Sequence, residues 1–152
     1  SKPKPAARLG QARADVAVAA PVERSAAAEA TRTKLDARVA DRDILRVVDD
    51  WAAAWSRRDA SAYLAHYDQG FEPPEGRSRE EWESERRQRI GSPVPIKVTV
   101  DRARVRFDAE GRAHVAFRQR YQSGKIDSTV RKTLTLVEPD NAWSILRERV
   151  GA

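Results

Sequence analysis

Apolar positions recur at helical spacing from Ile44 onward: Ile44, Val47, Val48, Trp51, Ala54 and Trp55. Steps of three and four residues place them on one stripe, with Arg46, Asp49, Asp50 and Arg57 mainly on the other side. The pattern predicts a helix capped at Asp41 or Asp43 and ending near Arg58. Asp59 can cap a short second helix that carries Tyr63, Leu64 and Tyr67 and ends at Gly70. Phe71 follows in a connecting segment, and Pro73-Pro74-Glu75-Gly76 reads as a turn. Ser78, with Glu81 three residues on, opens a third helix in the manner of a capping box. It carries Trp82, Arg86, Arg89 and Ile90, and Gly91, Pro93 and Pro95 end it.

After Pro95 the period changes from helical to alternating. Ile96, Val98 and Val100 alternate with polar residues, then Ala103, Val105 and Phe107 alternate with Arg102, Arg104 and Arg106. A loop at Gly111 leads into Ala113, Val115, Phe117, Gln119 and Tyr121, which alternate with His114, Arg118 and Arg120. Matching apolar to apolar sets Phe107 opposite Ala113, Val105 opposite Val115 and Ala103 opposite Phe117. The arginines then share the other face. Gln122 to Ser128 reads as a turn. Val130, Leu134 and Leu136 mark a third strand, and Trp143, Ile145, Leu146 and Val150 a fourth. Helices first and strands afterwards predict an α+β domain: three helices packed on an antiparallel sheet of about four main strands.

The first aromatic residue is Trp51, and Trp55, Tyr63, Tyr67, Phe71 and Trp82 crowd the next thirty positions. Aromatics dominate core energetics, so the folded domain is expected over residues 42–152. Residues 1–41 are expected as an Ala/Pro-rich linker, partly disordered or marginally helical, with Pro3, Pro5 and Pro21 favouring extended segments over 1–24 and a marginal helix over 25–40. Leu35 lies on the opposite side of the helical wheel from Ile44, so the two stripes do not join. A start of Ser1-Lys2-Pro3-Lys4-Pro5 reads as mid-linker, which implies an upstream domain in the same chain.

Charge alters this picture little. The chain holds 29 Lys and Arg against 23 Asp and Glu, a formal net charge of +6. Half of that excess falls on residues 1–41 (eight basic, five acidic) and half on residues 42–152 (twenty-one basic, eighteen acidic). A counterion-release binder usually concentrates its charge, so nucleic acid is not the expected partner. The lack of cysteine removes disulfides and thiolate metal sites. No apolar run reaches the length of a membrane span.

Several spaced stretches resemble one family. They are Trp51-x-x-x-Trp55-Ser56-x-x-Asp59, Tyr63-Leu64-x-x-Tyr67, Phe71 with its Pro-rich turn, and Trp82-x-x-x-Arg86-Arg87-x-Arg89-Ile90. Phe117-x-Gln119-x-Tyr121-x-Ser123, Lys132-x-Leu134 and Trp143-x-Ile145-Leu146-x-Glu148 continue the series. Together they resemble the nuclear transport factor 2-like superfamily, and within it the C-terminal domain of bacterial L,D-transpeptidase-like or tetratricopeptide-repeat envelope proteins. The resemblance implies a strongly curved sheet closing with the helices into a cone, whose apolar face lines a cavity. It implies a periplasmic or envelope location, with the cytoplasm as alternative. It also implies a homodimer through the convex sheet face and a small ligand or peptidoglycan-derived group in the cone.

The resemblance and the pattern together select Trp55, Tyr63, Tyr67, Trp82, Arg86, Gln119, Tyr121 and Lys132 as cavity candidates. Gln119 and Lys132 stand out as polar groups on an otherwise apolar strand face, where burial without a partner is costly. A register pairing Leu136 with Trp143 puts Glu148 on the convex face opposite Arg131, as an ion pair. No inward carboxylate or histidine then remains for acid–base work, so no catalytic residue and no cofactor is expected. His66 and His114 are scattered, and no metal site is expected. The expected function is a non-catalytic accessory domain. The alternatives are a small isomerase, dehydratase or hydrolase using the cone, and an anionic-polymer or nucleic-acid binder using the arginine face. A carboxylate or histidine within hydrogen-bond reach of Tyr63, Tyr67 or Tyr121 would overturn the non-catalytic reading.

Overall fold

The computed structural model describes the backbone of residues 3–151 and the side chains from Ser25 to Gly151. The chain divides into two units, Ser1–Ala40 and Asp41–Ala152. Helix α1 runs over Pro3–Ser56. The expected extended linker is therefore helical from Pro3, with Ser1 and Lys2 outside the described residues. Neither Asp41 nor Asp43 starts a helix, because residues 25–40 are mostly strong helix formers and nothing before Asp41 stops the chain.

In the second unit, α1 buries Ile44, Val48, Trp51, Ala54 and Trp55. Helix α2 spans Ala60–Leu64, and the Asp59 side chain caps it by accepting from the Ala62 N–H at 3.0 Å. The helix is shorter than expected, and Tyr67 lies beyond it in a bridge to Ile145. The Asp68 N–H donates to the Ile145 carbonyl at 2.8 Å, and the Ile145 N–H donates to the His66 carbonyl at 2.8 Å. The segment after α2 is thus tied to the last strand. Helix α3 spans Arg79–Ile90, with Ser78 accepting from the Glu81 N–H at 3.1 Å.

Four strands follow: β1 (Ile96–Phe107), β2 (Ala113–Ser123), β3 (Ile126–Val137) and β4 (Ser144–Val150). They form an antiparallel sheet in the order β1-β2-β3-β4. The architecture is α+β, and the sheet is open rather than closed into a cone. Gln122 to Ser128 is mostly strand: only Gly124 and Lys125 turn between β2 and β3, with Gly124 at a φ of 58°.

The expected pairs Phe107–Ala113 and Val105–Val115 are present. The expected Ala103–Phe117 pair falls within a register shift between Asp101 and Arg104. One extra residue there, with Arg102 at a φ of 54°, moves the apolar set from even to odd positions and keeps it on one face. The core of the unit lies between this face and the helices. Trp51, Tyr63, Trp82, Phe117, Leu134 and Ile145 are among its fully buried members.

Candidate functional site

A second register shift builds the site. On β3 and β4, Thr135 pairs with Arg147 while Leu136 pairs with Ile145, so Leu146 is an extra residue. An added residue flips every side chain beyond it to the other face. Glu148 consequently pairs with Leu134 on the core face, not with Arg131 on the outer one. Its side chain is 5% exposed. The outer-face ion pair expected for Glu148 is corrected by this bulge.

Three polar groups converge on that carboxylate. Tyr67 donates its hydroxyl to Oε1 at 2.7 Å, and Lys132 Nζ donates to Oε2 at 3.4 Å. The Arg86 guanidinium reaches Oε2 at 3.9 Å. Lys132 is as buried as its partner, with 4% of its side chain exposed. Its ammonium lies 5.4 Å from the Trp51 ring centre and 5.3 Å from that of Trp55. Arg86 lies over Trp55 and Trp82 at 5.8 and 5.9 Å. Aromatic faces replace part of the hydration that both cations lose.

Behind Glu148 stands a hydrogen-bonded row. The Tyr67 oxygen accepts from Trp51 Nε1 at 3.0 Å and is 2.9 Å from the Tyr63 hydroxyl. With its single proton committed to the carboxylate, Tyr67 accepts from Tyr63. Burial holds the Tyr67 and Tyr63 hydroxyls well above the usual phenol range, and the Glu148 charge adds to it. Burial also lowers the Lys132 ammonium, with Glu148 working against that and Arg86 reinforcing it. For Arg86, burial opposes the charge, but Tyr63 and Glu148 outweigh it and keep the guanidinium raised. The cluster sets two cations, Lys132 buried and Arg86 partly buried, against one buried carboxylate.

In front of the cations lies a cavity of about 790 Å³, within the size range of small-molecule sites. Trp55, Arg86, Gln119, Tyr121 and Lys132 line it, together with apolar groups such as Ile90, Val94, Val130 and Val150. Five of the eight residues selected from the sequence thus meet at one cavity. Tyr63, Tyr67 and Trp82 do not line it; they pack behind it, in the core. Gln119 and Lys132 are diagonal neighbours, since Gln119 pairs with Val130 and Phe117 with Lys132. The buried Gln119 Oε1 has no partner among the described residues. Such an orphan acceptor is costly in a closed core, and a ligand donor can supply its bond.

Arg89 pairs with Glu85 at 2.6 Å on the exposed side of α3. Arg86 instead turns inward. Among the described residues no cluster of three or more potential metal ligands occurs, and no helix is long and apolar enough to cross a membrane. Glu148 is the functional residue that the sequence reading placed on the wrong face. Its one local signal is the adjacent apolar pair Ile145-Leu146, which breaks strict alternation.

A family model described as the Cds6 C-terminal NTF2-like domain matches residues 43–149. No curated protein sequence matches the chain. Among solved structures, Bd1075 of Bdellovibrio bacteriovorus is 28% identical with a TM-score of 0.62, over 72% of this chain and 40% of that one. The helical cell shape determining protein Pgp2 from Campylobacter jejuni is 19% identical with a TM-score of 0.58, over 68% of this chain and 38% of that one. An NTF-2 like protein of unknown function from Shewanella oneidensis is 21% identical with a TM-score of 0.59, over 74% of this chain and 98% of that one. The chain spans about two fifths of the length of the first two.

Proposed function

The chain belongs to the Cds6 C-terminal NTF2-like domain family, and from that premise we propose that it is an accessory domain that binds a small anionic group. The observation that carries this reading is the cavity wall formed by the buried Lys132 and the partly buried Arg86, two cations sharing a single buried carboxylate. A ligand carboxylate there would complete the charge balance inside a low-dielectric site. A ligand N–H or O–H would satisfy Gln119, and the apolar walls would take the rest of the molecule. A peptidoglycan-derived fragment has this mixture of carboxylates, amides and small apolar groups. Residues 42–152 would form the binding domain, and residues 1–41 would join it to an upstream domain of an envelope or periplasmic protein.

Dimerisation through the outer sheet face is the other role expected of such a domain. The charge of that face favours cavity binding instead, because a two-fold contact would set arginine against arginine. The test is a thermal-shift titration of the full chain with stem-peptide fragments carrying free carboxylates, against the same fragments amidated. The free acids are expected to raise the midpoint by mass action, about 2.7 kcal/mol of stabilisation at a hundredfold excess over Kd. Arg86→Gln and Lys132→Met are expected to remove the shift. Equal shifts with amidated fragments, or none with either set, would refute the anion-binding reading.

One observation favours a second reading. Glu148 is an inward carboxylate within hydrogen-bond reach of Tyr67, which is the arrangement that acid–base chemistry needs. Its absence was the expected ground for a non-catalytic domain, and that ground is gone. Against catalysis, both oxygens are already engaged and Glu148 does not line the cavity. Conversion of a bound fragment to a product of changed mass, abolished in Glu148→Gln, would establish the enzymatic reading.

A further inference from the structure

The outer face of the sheet is divided by its ion pairs. Toward one end, Arg118 engages Asp101 through two guanidinium nitrogens, with one contact at 2.9 Å, and Arg120 engages Asp127 at 2.8 and 3.0 Å. These pairs surround a polar depression of about 650 Å³ whose charges largely satisfy one another. Toward the other end, the register lines up Arg104, Ala116, Thr133 and Arg149 across all four strands. Arg106 lies in one flanking row, with His114, which engages Asp108, and Arg147, which engages Glu72; Arg131 lies in the other, opposite Arg118. Arg104, Arg106, Arg131 and Arg149 are exposed and form no ion pair among the described residues. By sheet geometry Arg104 and Arg149 stand about 14 Å apart across the strands, and successive rows lie about 7 Å apart.

From the four unpaired arginines we infer that this part of the outer face docks linear polyphosphate, a phosphate polymer that carries no bases. Charge complementarity sets the sign of the partner. The side chains between the arginines set its chemistry: Ala116 is small, Thr133 offers a hydroxyl, and guanidinium groups present forked donors suited to phosphate oxygens. A single-stranded nucleic acid would need aromatic platforms, and the aromatics of β1 and β2 (Phe107, Phe117, Tyr121) alternate onto the inner face. An acidic peptide would bring amide donors and side chains for which this part offers neither pocket nor apolar contact. A second copy would meet it with like charge.

The probe is fluorescently labelled long-chain polyphosphate, titrated against the full chain and followed by anisotropy. Four contacts predict a loss of about 50-fold in affinity between 50 and 200 mM salt. The combined variant R104Q/R106Q/R131Q/R149Q, checked for folding by circular dichroism, is expected to abolish binding at the lower salt. R118Q/R120Q, at the paired end, is expected to leave it nearly unchanged. Cavity variants such as Arg86→Gln are expected to have no effect, which separates this surface from the cavity. Equal binding by the fourfold variant, or affinity independent of salt, would overturn the inference. So would tighter binding of an oligonucleotide, or loss of binding as the chain dimerises with concentration.

Discussion

The two faces of the sheet carry the same kinds of ion pair in opposite settings. On the outer face Arg118 and Asp101 are 43% and 44% exposed, and their bidentate contact is shared with water. On the inner face Lys132 and Glu148 are 4% and 5% exposed, at a longer 3.4 Å. Geometry alone would rank the outer pair as the stronger. Burial reverses the order of consequence. The outer residues lose little when separated, because water replaces each partner. The inner residues cannot be separated without leaving a charge in a medium that solvates it poorly. Ion pairing on the outer face therefore matters little to the fold. On the inner face it is a condition of folding and of the cavity's charge.

The largest expected effect breaks the inner face. Glu148→Ala strands Lys132 and Arg86 without their shared counter-charge, and a loss of about 3–5 kcal/mol of stability is expected. Urea denaturation measures it, and a loss below 1 kcal/mol would show that the cluster is solvated and the contrast between faces unfounded. Tyr67→Phe comes next. It removes one oxygen that serves Trp51, Tyr63 and Glu148 together. Leaving those buried groups short of a partner is expected to cost about 1–3 kcal/mol. A variant as stable as the parent would mean that water fills the gap.

These effects bear on how much of the inner face could be read beforehand. The hairpin pairs Val105–Val115 and Phe107–Ala113 were legible, because matching apolar positions leaves few other registers. The cap at Ser78 was legible because its chemistry is local. Gln119 and Lys132 announced themselves as polar residues on an apolar face. Glu148 did not, because one extra residue at Leu146 inverts the parity of all that follows. A bulge is a tertiary choice: here it lets Ile145 fill the core and Glu148 meet Lys132, neither of which is local information. The helix start near Asp41 failed for a different reason. Capping residues mark a start only when the preceding residues do not themselves favour a helix. The cavity was legible residue by residue but not as a volume, since its lining comes from α1, α3, β2, β3 and β4.

The dependence of stability on pH sharpens the contrast next. Lys132 has a lowered affinity for its proton when folded. Between that lowered pKa and the ordinary 10.5, the unfolded chain binds more protons than the folded one, so stability rises with pH. Tyr63 and Tyr67 act in the opposite sense. Their raised values leave them protonated when the unfolded phenols ionise above 10.0, so stability falls from there. A maximum in the thermal midpoint near pH 10 is expected. Lys132→Met should lose the rising limb and keep the falling one. An unchanged rising limb would place its origin elsewhere in the chain.

The smallest expected effect is on the outer face, and it decides whether the comparison holds. Asp101→Asn leaves Arg118 without its carboxylate, just as Glu148→Ala leaves Lys132. The freed guanidinium remains in water, where hydration and dissolved counter-ions substitute for the lost charge. Little or no change in stability is expected, shrinking further at high salt. Urea denaturation at 50 mM and 500 mM salt checks both statements. A cost similar to that of Glu148→Ala would mean that exposure is not what separates the two faces. The bidentate geometry of Arg118 would then be the determinant, and the outer sheet would have to be counted among the elements that hold the fold together.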